Sequence, residues 1–453
     1  MNKHLSRRDF LKLSAGAAGV GILAACAAPA QPTPAPAVPA PTAKATDAPK
    51  AAPPATGDYK GKFVVVSVAT DQRGEGKLGT MFEQANPGVQ VTHVTFPSEK
   101  FVELYTAVKN TKEQVDILEL NGQDLRRYAT SGDLVDLSSI VTYKDRFRPV
   151  GLRTYTINDK LWALPWGGIG GFNIYYNKSI LDKKSLTYPK TYAELVDIGK
   201  KLKPDGIAAY THAGKNIYLW PVWFFTTYAQ TSGNQSNEKT LKTLNGELKF
   251  TDPEVVAALA AIFKFAEDGL FIAGVNSQDS PASIANIVTN KAAFALGLDV
   301  NAVRDATPAD VSLAADLLPK IVDKPEVKSQ YPGGTGIALS IPVGVAPERR
   351  KLAESFLDFV TRDESMAVYR DTNKIAVLTT KLEGANDPLS KQVAGLVDNL
   401  TTYLDWLWPP QITRAFQEGI QAGVAKQKNA DEVASDIQKE FDKLVASGYK
   451  PQN

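Results

Sequence analysis

Between residues 63 and 120, short β-branched runs alternate with segments of helical period, and this alternation leaves the chain few architectures. Phe63-Val-Val-Val-Ser-Val68 is a continuous apolar run of the kind buried on both faces of a sheet. A Gly-containing polar loop and a helix over Lys77–Gln84 follow, closed by Asn86-Pro87-Gly88. Val89–Val94 alternates as a second strand. Phe101, Leu104, Tyr105 and Val108 share one face of a helix within Ser98–Lys109, and Val115–Leu120 is a third strand. Strand, helix, strand, helix, strand predicts an α/β layer with a mainly parallel sheet.

The pattern continues without an internal repeat. Thr251-Asp252-Pro253-Glu254 opens a helix whose apolar stripe is Val255, Leu259, Ile262 and Phe263, with Gly269 as its stop. Helices are also predicted over Pro347–Thr361 and from Asn429 or Asp431 onward, with Val433, Ile437, Phe441 and Leu444 in phase. The body from about Asp58 to Asn453 is long enough for two lobes. The chain carries 51 basic and 49 acidic residues, and no long run of like charge. That balance argues against a nucleic-acid partner.

The first sixty residues differ from the rest. A basic head (Lys3, Arg7, Arg8, Lys12) precedes a short Gly/Ala-rich apolar core, the layout of a signal peptide over residues 1–25. Ser6-Arg7-Arg8-Asp9-Phe10-Leu11-Lys12 resembles a twin-arginine export signal. Leu23-Ala-Ala-Cys26 resembles a lipobox, in which the Cys receives a diacylglycerol and becomes the first mature residue. Cys26 is the only cysteine, so no intramolecular disulfide supports the fold. Residues 26–57 are dominated by Ala, Pro and Thr, with proline at 29, 32, 34, 36, 39, 41, 49, 53 and 54. Such a segment buries too little apolar surface to pack and favours an extended, semi-rigid tether. The expected location is extracytoplasmic, held to a membrane through Cys26.

Several strings, in order, resemble the family-1 extracellular solute-binding proteins, the group that includes the maltose-binding type. They are Phe82-Glu-Gln-Ala-Asn-Pro-Gly-Val-Gln-Val91, Val115-Asp-Ile-Leu-Glu-Leu120 and Tyr128-Ala-Thr-Ser-Gly-Asp-Leu-Val135. Asn158-Asp-Lys-Leu-Trp-Ala-Leu-Pro165 followed by Ile174-Tyr-Tyr-Asn-Lys178 is similar to that family's first crossover strand. Pro189-Lys-Thr-Tyr-Ala-Glu-Leu195, Gly333-Gly-Thr-Gly-Ile-Ala-Leu-Ser340 and Ala353-Glu-Ser-Phe-Leu-Asp-Phe359 complete the set. The resemblance implies a two-lobed α/β fold of the periplasmic-binding-protein type II. Each lobe would be a mainly parallel sheet flanked by helices, and crossover hinge strands would join the two. One lobe would take 59–165 and 338–385, the other 170–332 and 386–453. It also implies a monomer that binds a solute between the lobes and delivers it to the permease subunits of an ABC importer.

All six tryptophans fall in pairs: Trp162/Trp166, Trp220/Trp223 and Trp406/Trp408. A flat indole complements the C–H face of a sugar ring, so a carbohydrate is the expected solute. Large aromatics also fill cores, and the alternation of Trp162 with Leu161 and Ala163 assigns it there. Both readings stay open for Trp166, beside Gly167-Gly168, and for Trp220 and Trp223. Trp406 and Trp408 match a region where the family places a stacking aromatic. One departure is plain: in Ala293-Phe-Ala-Leu-Gly-Leu-Asp299-Val300, Val300 stands where the family often has Trp. That weakens a maltodextrin assignment and offers Asp299 as a hydroxyl partner. Further candidates are Asp71 and Gln72 after the first strand, Asn121, Gln123 and Asp124 after the third, and Gly334 and Thr335 at the second crossover. Turn and helix-cap duty is the competing account of these polar residues.

Catalysis has little support. His4, His93 and His212 form no spaced metal set, and neither a Gly-x-Ser-x-Gly elbow nor a phosphate loop occurs. No cofactor or metal is expected. The competing readings are a binding protein for a phosphate ester, polyamine or peptide, a secreted glycoside-acting enzyme, and a ligand sensor coupled to a membrane receptor.

Overall fold

The computed structural model describes residues 59–67, 75–96, 101–111, 113–370 and 387–450. Cys26, the signal and tether segments, Asp71 and Gln72 lie outside the described residues.

Twelve strands form two main sheets and a small hairpin among the described residues. The first sheet takes β1 (Gly61–Ser67), β2 (Val89–Thr95), β3 (Ile117–Asn121), β6 (Leu164–Gly171), β11 (Tyr331–Ser340) and β12 (Leu400–Thr401). The second takes β7 (Ile174–Asn177), β8 (Ala208–Thr211), β9 (Ala292–Leu296) and β10 (Leu313–Asp316). The hairpin pairs β4 (Thr156–Ile157) with β5 (Lys160–Leu161).

The opening alternation folds as its pattern predicts. Phe63 to Ser67 are buried, and β1 pairs in parallel with β2 on one side and β3 on the other. Such pairing requires crossovers, supplied by the helices Glu75–Ala85 and Phe101–Lys109. The sheets are mixed rather than wholly parallel. β11 runs antiparallel to β3 and β6, and β7 runs antiparallel to β9 and β10. These are the strands that carry the chain from one sheet toward the other, so they enter against the local direction.

Two large cores correspond to the two sheets. Phe63, Phe82, Phe356 and Phe359 form an aromatic cluster in the first, with Phe82 and Phe356 edge to face at 4.9 Å. The second is built around Tyr210, Trp223, Phe265 and Phe294. A smaller cluster of Tyr175, Ile287, Val303 and Leu389 packs beside β7 and β9. The last long helix, Ala430–Ala446, is opened by Asn429 and Glu432 in a reciprocal capping box, and it buries Val433, Ile437 and Phe441. The predicted stop at Gly269 is a left-handed residue, φ +68°. Among the described residues, no helix is long and apolar enough to cross a membrane.

One ion pair joins elements far apart in sequence. Asp116, fully buried before β3, binds the Arg349 guanidinium at both oxygens and accepts a 2.7 Å bond from Val64 N–H of β1. Arg349 also donates to the Tyr59 hydroxyl at 2.6 Å and lies over its ring. Removing one partner strands the other charge. Arg349→Met is therefore expected to lower unfolding free energy by about 3–5 kcal/mol in a urea titration. A change below about 1 kcal/mol would reduce the pair to an ordinary surface bridge.

Candidate functional site

The carboxyl ends of both sheets converge on the crossing strands. Asn121, the last residue of β3, pairs with Ile337 of β11. Leu296, the last residue of β9, pairs with Ile174, where β7 begins just past the end of β6. In α/β folds, ligands sit outside strand carboxyl ends. The crossing itself is backbone on backbone: Gly333 pairs with Gly171 and Gly334 with Gly170. A Cβ on Gly171 would lie 2.8 Å from Pro332 O, and one on Gly333 would lie 2.7 Å from Gly171 Cα.

Beside this crossing, residues of both lobes enclose a crevice of about 300 Å³. From the first lobe come Arg126, Arg153 and Asn158; from the second come Asn237, Asn245 and Trp406. A second crevice of about 550 Å³ adjoins it and shares Arg126, Asn245 and Trp406. Amides both donate and accept, and guanidinium groups donate, so the lining suits a solute rich in hydroxyl groups or oxyanions. Trp406 is partly exposed and shares the apolar wall with Ile157, Leu241 and Leu407. It packs on Gly122, where any Cβ would collide with the indole and with Thr154. Its ring lies 4.7 Å from that of Tyr403.

The other tryptophans are placed differently, and the expectations for Trp220 and Trp223 are corrected. Trp220 and Trp223 are 0% exposed. Trp220 donates its indole N–H to Gly214 O, and Trp223 packs edge to face on Tyr210, Phe265 and Phe271. Both are core residues because they open the helix Trp220–Thr231, which is buried on nearly every face. Trp408 is 5% exposed and stacks on Phe416 at 4.0 Å in the second core, and it also lines the second crevice. Trp166 is 4% exposed and donates at 3.3 Å to Glu119, a buried carboxylate that also receives the Ser67 hydroxyl. Trp162 packs against the first core and donates to Ile157 O.

The polar candidates divide. Asn121 caps the helix Gly122–Thr130 through Asp124 N–H, and Gln123 sits in that helix's first turn. Asp124 lines the second crevice; burial raises its pKa, against the pull of Arg127 and the Asn121 bond. Asp299 caps the helix Val300–Ala306, accepting from Asn301 and Ala302 N–H at 3.0 Å. Thr335 is fully buried with its hydroxyl unpaired, and its carbonyl accepts the Tyr155 hydroxyl. Gly334 would meet only Thr154 if given a side chain. Cap duty, the competing account, thus claims Asn121 and Asp299.

Sequence reasoning missed Arg126, Arg153, Asn158, Asn237 and Asn245. Asp405, between Tyr403 and Trp406 in sequence, lines neither crevice. Its Oδ1 is buried without a partner, and burial pushes its pKa up to about 7, opposed by its own and Trp406 N–H groups. The asparagines carried no local signal, because they come from segments distant in sequence.

His212, at the carboxyl end of β8, is fully buried. Its Nδ1 lies 3.1 Å from Leu296 O, its ring is 4.4 Å from Trp220, and Nε2 has no partner. Burial pushes its pKa down to about 4. The unfolded chain, titrating near 6.5, then binds the extra proton first, so stability falls as pH drops from about 6.5 to about 4. Wild type should lose about 3 kcal/mol more than His212→Gln over that window in denaturant titrations. Parallel losses would show that the imidazole is not held neutral.

Comparison with known proteins follows the same outline. The family model described as "Bacterial extracellular solute-binding protein" matches residues 77–396. The galactooligosaccharide-binding protein of Bacillus subtilis is 22% identical over 348 residues, covering 75% of this chain and 78% of that one. An uncharacterized ABC transporter extracellular-binding protein of Pyrococcus horikoshii, PH1039, is 24% identical over 177 residues, 38% of this chain and 41% of its own length. Among solved structures, a family 1 extracellular solute-binding protein from Bifidobacterium longum subsp. infantis superposes with a TM-score of 0.71 at 16% identity. That match covers 85% of this chain and 100% of the other. At that identity the match establishes the two-lobed α/β fold.

Proposed function

The chain belongs to the bacterial extracellular solute-binding proteins, and from that premise we propose that it captures a sugar or small oligosaccharide between its lobes and delivers it to the permease of an ABC importer. The observation that carries this reading is Trp406, a partly exposed indole that with Ile157, Leu241 and Leu407 makes the apolar part of an interlobe crevice whose other side chains are amides, hydroxyls and two arginines. A pyranose presents C–H groups on its faces and hydroxyls around its rim. The indole answers the first and the amides answer the second. The crevices fall within the range of small-molecule sites, roughly 300–1,000 Å³. The name of the Bacillus relative points the same way.

Tryptophan emission or calorimetric titration against a saccharide panel tests this. Trp406→Ala should weaken binding roughly tenfold or more, about 1.4 kcal/mol, with its melting temperature near that of wild type. Unchanged affinity in the variant, or no saccharide bound by wild type, sinks the carbohydrate reading. A phosphate ester is the second reading, favoured by Arg126 and Arg153 in one crevice. Mass spectrometry of co-purified small molecules separates the two.

The lipobox string makes Cys26 the anchor and residues 26–57 the reach that keeps the lobes near a permease. Labelled palmitate is expected on wild type and absent from Cys26→Ala. Label on both proteins refutes the anchor.

A further inference from the structure

We infer that Gly122 is a positioning residue for solute binding: its bare backbone seats the Trp406 ring across the seam and so sets how closely the two lobes approach. The inference rests on the reading that the interlobe seam is the solute site. Nothing local calls for glycine at this position. Gly122 opens the helix Gly122–Thr130 and is not among the residues held at positive φ. Asn121 already supplies the cap, accepting from Asp124 N–H at 2.8 Å. Alanine is the better helix former there, since glycine gives up more backbone freedom on ordering.

The reason for glycine lies on the other lobe. A Cβ at 122 would meet Trp406 Cε3, with Trp406 Cζ3 at 2.5 Å and Thr154 Cγ2 at 2.6 Å. Carbon atoms in contact sit about 3.5–4.0 Å apart, so an added methyl group displaces something by roughly an ångström. The first-lobe side is braced. Asn121 ends β3 in register with Ile337 of β11, and Tyr155, next to Thr154, donates its hydroxyl to Thr335 O of the same strand at 2.8 Å. The indole is braced as well. Leu404 and Trp408, to either side of it in sequence, are buried in the second core, and its own ring lies 4.7 Å from that of Tyr403. Tyr403 in turn meets Phe172 edge to face at 5.9 Å, and Phe172 N–H bonds to Pro332 O at the crossing. With both sides held, the methyl group is accommodated by parting the lobes.

Trp406 lines both crevices, so a wedge at 122 widens the two together. A solute that needs both walls then binds only the fraction of molecules with the seam drawn in, and its apparent affinity falls by that fraction. In this role Gly122 acts through Trp406 rather than on the solute. The effect of a side chain at 122 therefore vanishes once the ring is removed.

The test compares wild type, Gly122→Ala, Trp406→Ala and the double variant as full chains. Small-angle X-ray scattering without solute reads the spacing of the lobes, and thermal melting reads the fold. Titration with galactotriose, raffinose, maltotriose and chitotriose reads binding. Gly122→Ala is expected to show a larger radius of gyration than wild type and a melting temperature no lower. It should bind the tightest probe roughly tenfold more weakly or worse. Added to Trp406→Ala, the same substitution should change neither the radius nor the melting temperature. A wild-type radius in Gly122→Ala overturns the inference, because the ring has then turned aside in place of the lobes. So does a radius that still grows in the Trp406→Ala background, or a probe bound within about twofold of wild type. A melting temperature several degrees below wild type makes Gly122 a residue of the first lobe's own fold and overturns it as well. If no probe binds wild type, the carbohydrate reading falls, while the scattering comparison still decides whether Gly122 sets the seam.

Discussion

The close approach of two peptide backbones, Gly170-Gly171 against Gly333-Gly334, sets the geometry on which the molecule depends. Here the chain leaves the first sheet and returns to it. The ladder between β6 and β11 is the contact that lets two separately cored lobes share one base. Side chains would hold these strands apart: a Cβ on Gly171 or Gly333 meets the opposing backbone or the Tyr331 ring. With the ladder closed, β3 and β9 end on the same region, and the crevices beside Trp406 have walls from both lobes. The glycines bind nothing themselves, yet they determine where everything else meets.

Much of this was legible in the sequence, because periodicity reports burial. Phe63–Ser67 gave its strand through β-branched residues, and Val433, Ile437 and Phe441 gave their helix by spacing. Of the two openings the sequence offered for that helix, Asn429 and Asp431, Asn429 is the cap. The antiparallel entry of β7 was less visible, since Ile174–Asn177 has the composition of a strand of either direction. Direction is decided by topology rather than by residue type.

The site was legible only in part. Tryptophan is both the largest core residue and a ready platform for a sugar ring, and local sequence does not separate the roles. Trp220 and Trp406 each stand beside other aromatics and prolines. What distinguishes them is the far side of the contact: Trp220 meets Gly214 and His212, whereas Trp406 meets Gly122 and Thr154 across the seam. Asn158, Asn237 and Asn245 converge for the same long-range reason. Asn121 and Asp299 show the converse, where a polar residue in the expected place is already occupied with the backbone of its own helix.

The Asp116–Arg349–Tyr59 contact has a mechanical consequence. Tyr59 precedes β1 by two residues, and β1 lies between β2 and β3, bonded along its length to β2. Consider a pull applied at Tyr59 along the strand axis. It loads many backbone hydrogen bonds at once in shear instead of peeling them singly from an edge. Arg349 rivets the loaded end to the helix Pro347–Val360 and, through Asp116, to the start of β3. The first lobe is thus built to take tension applied at the start of β1.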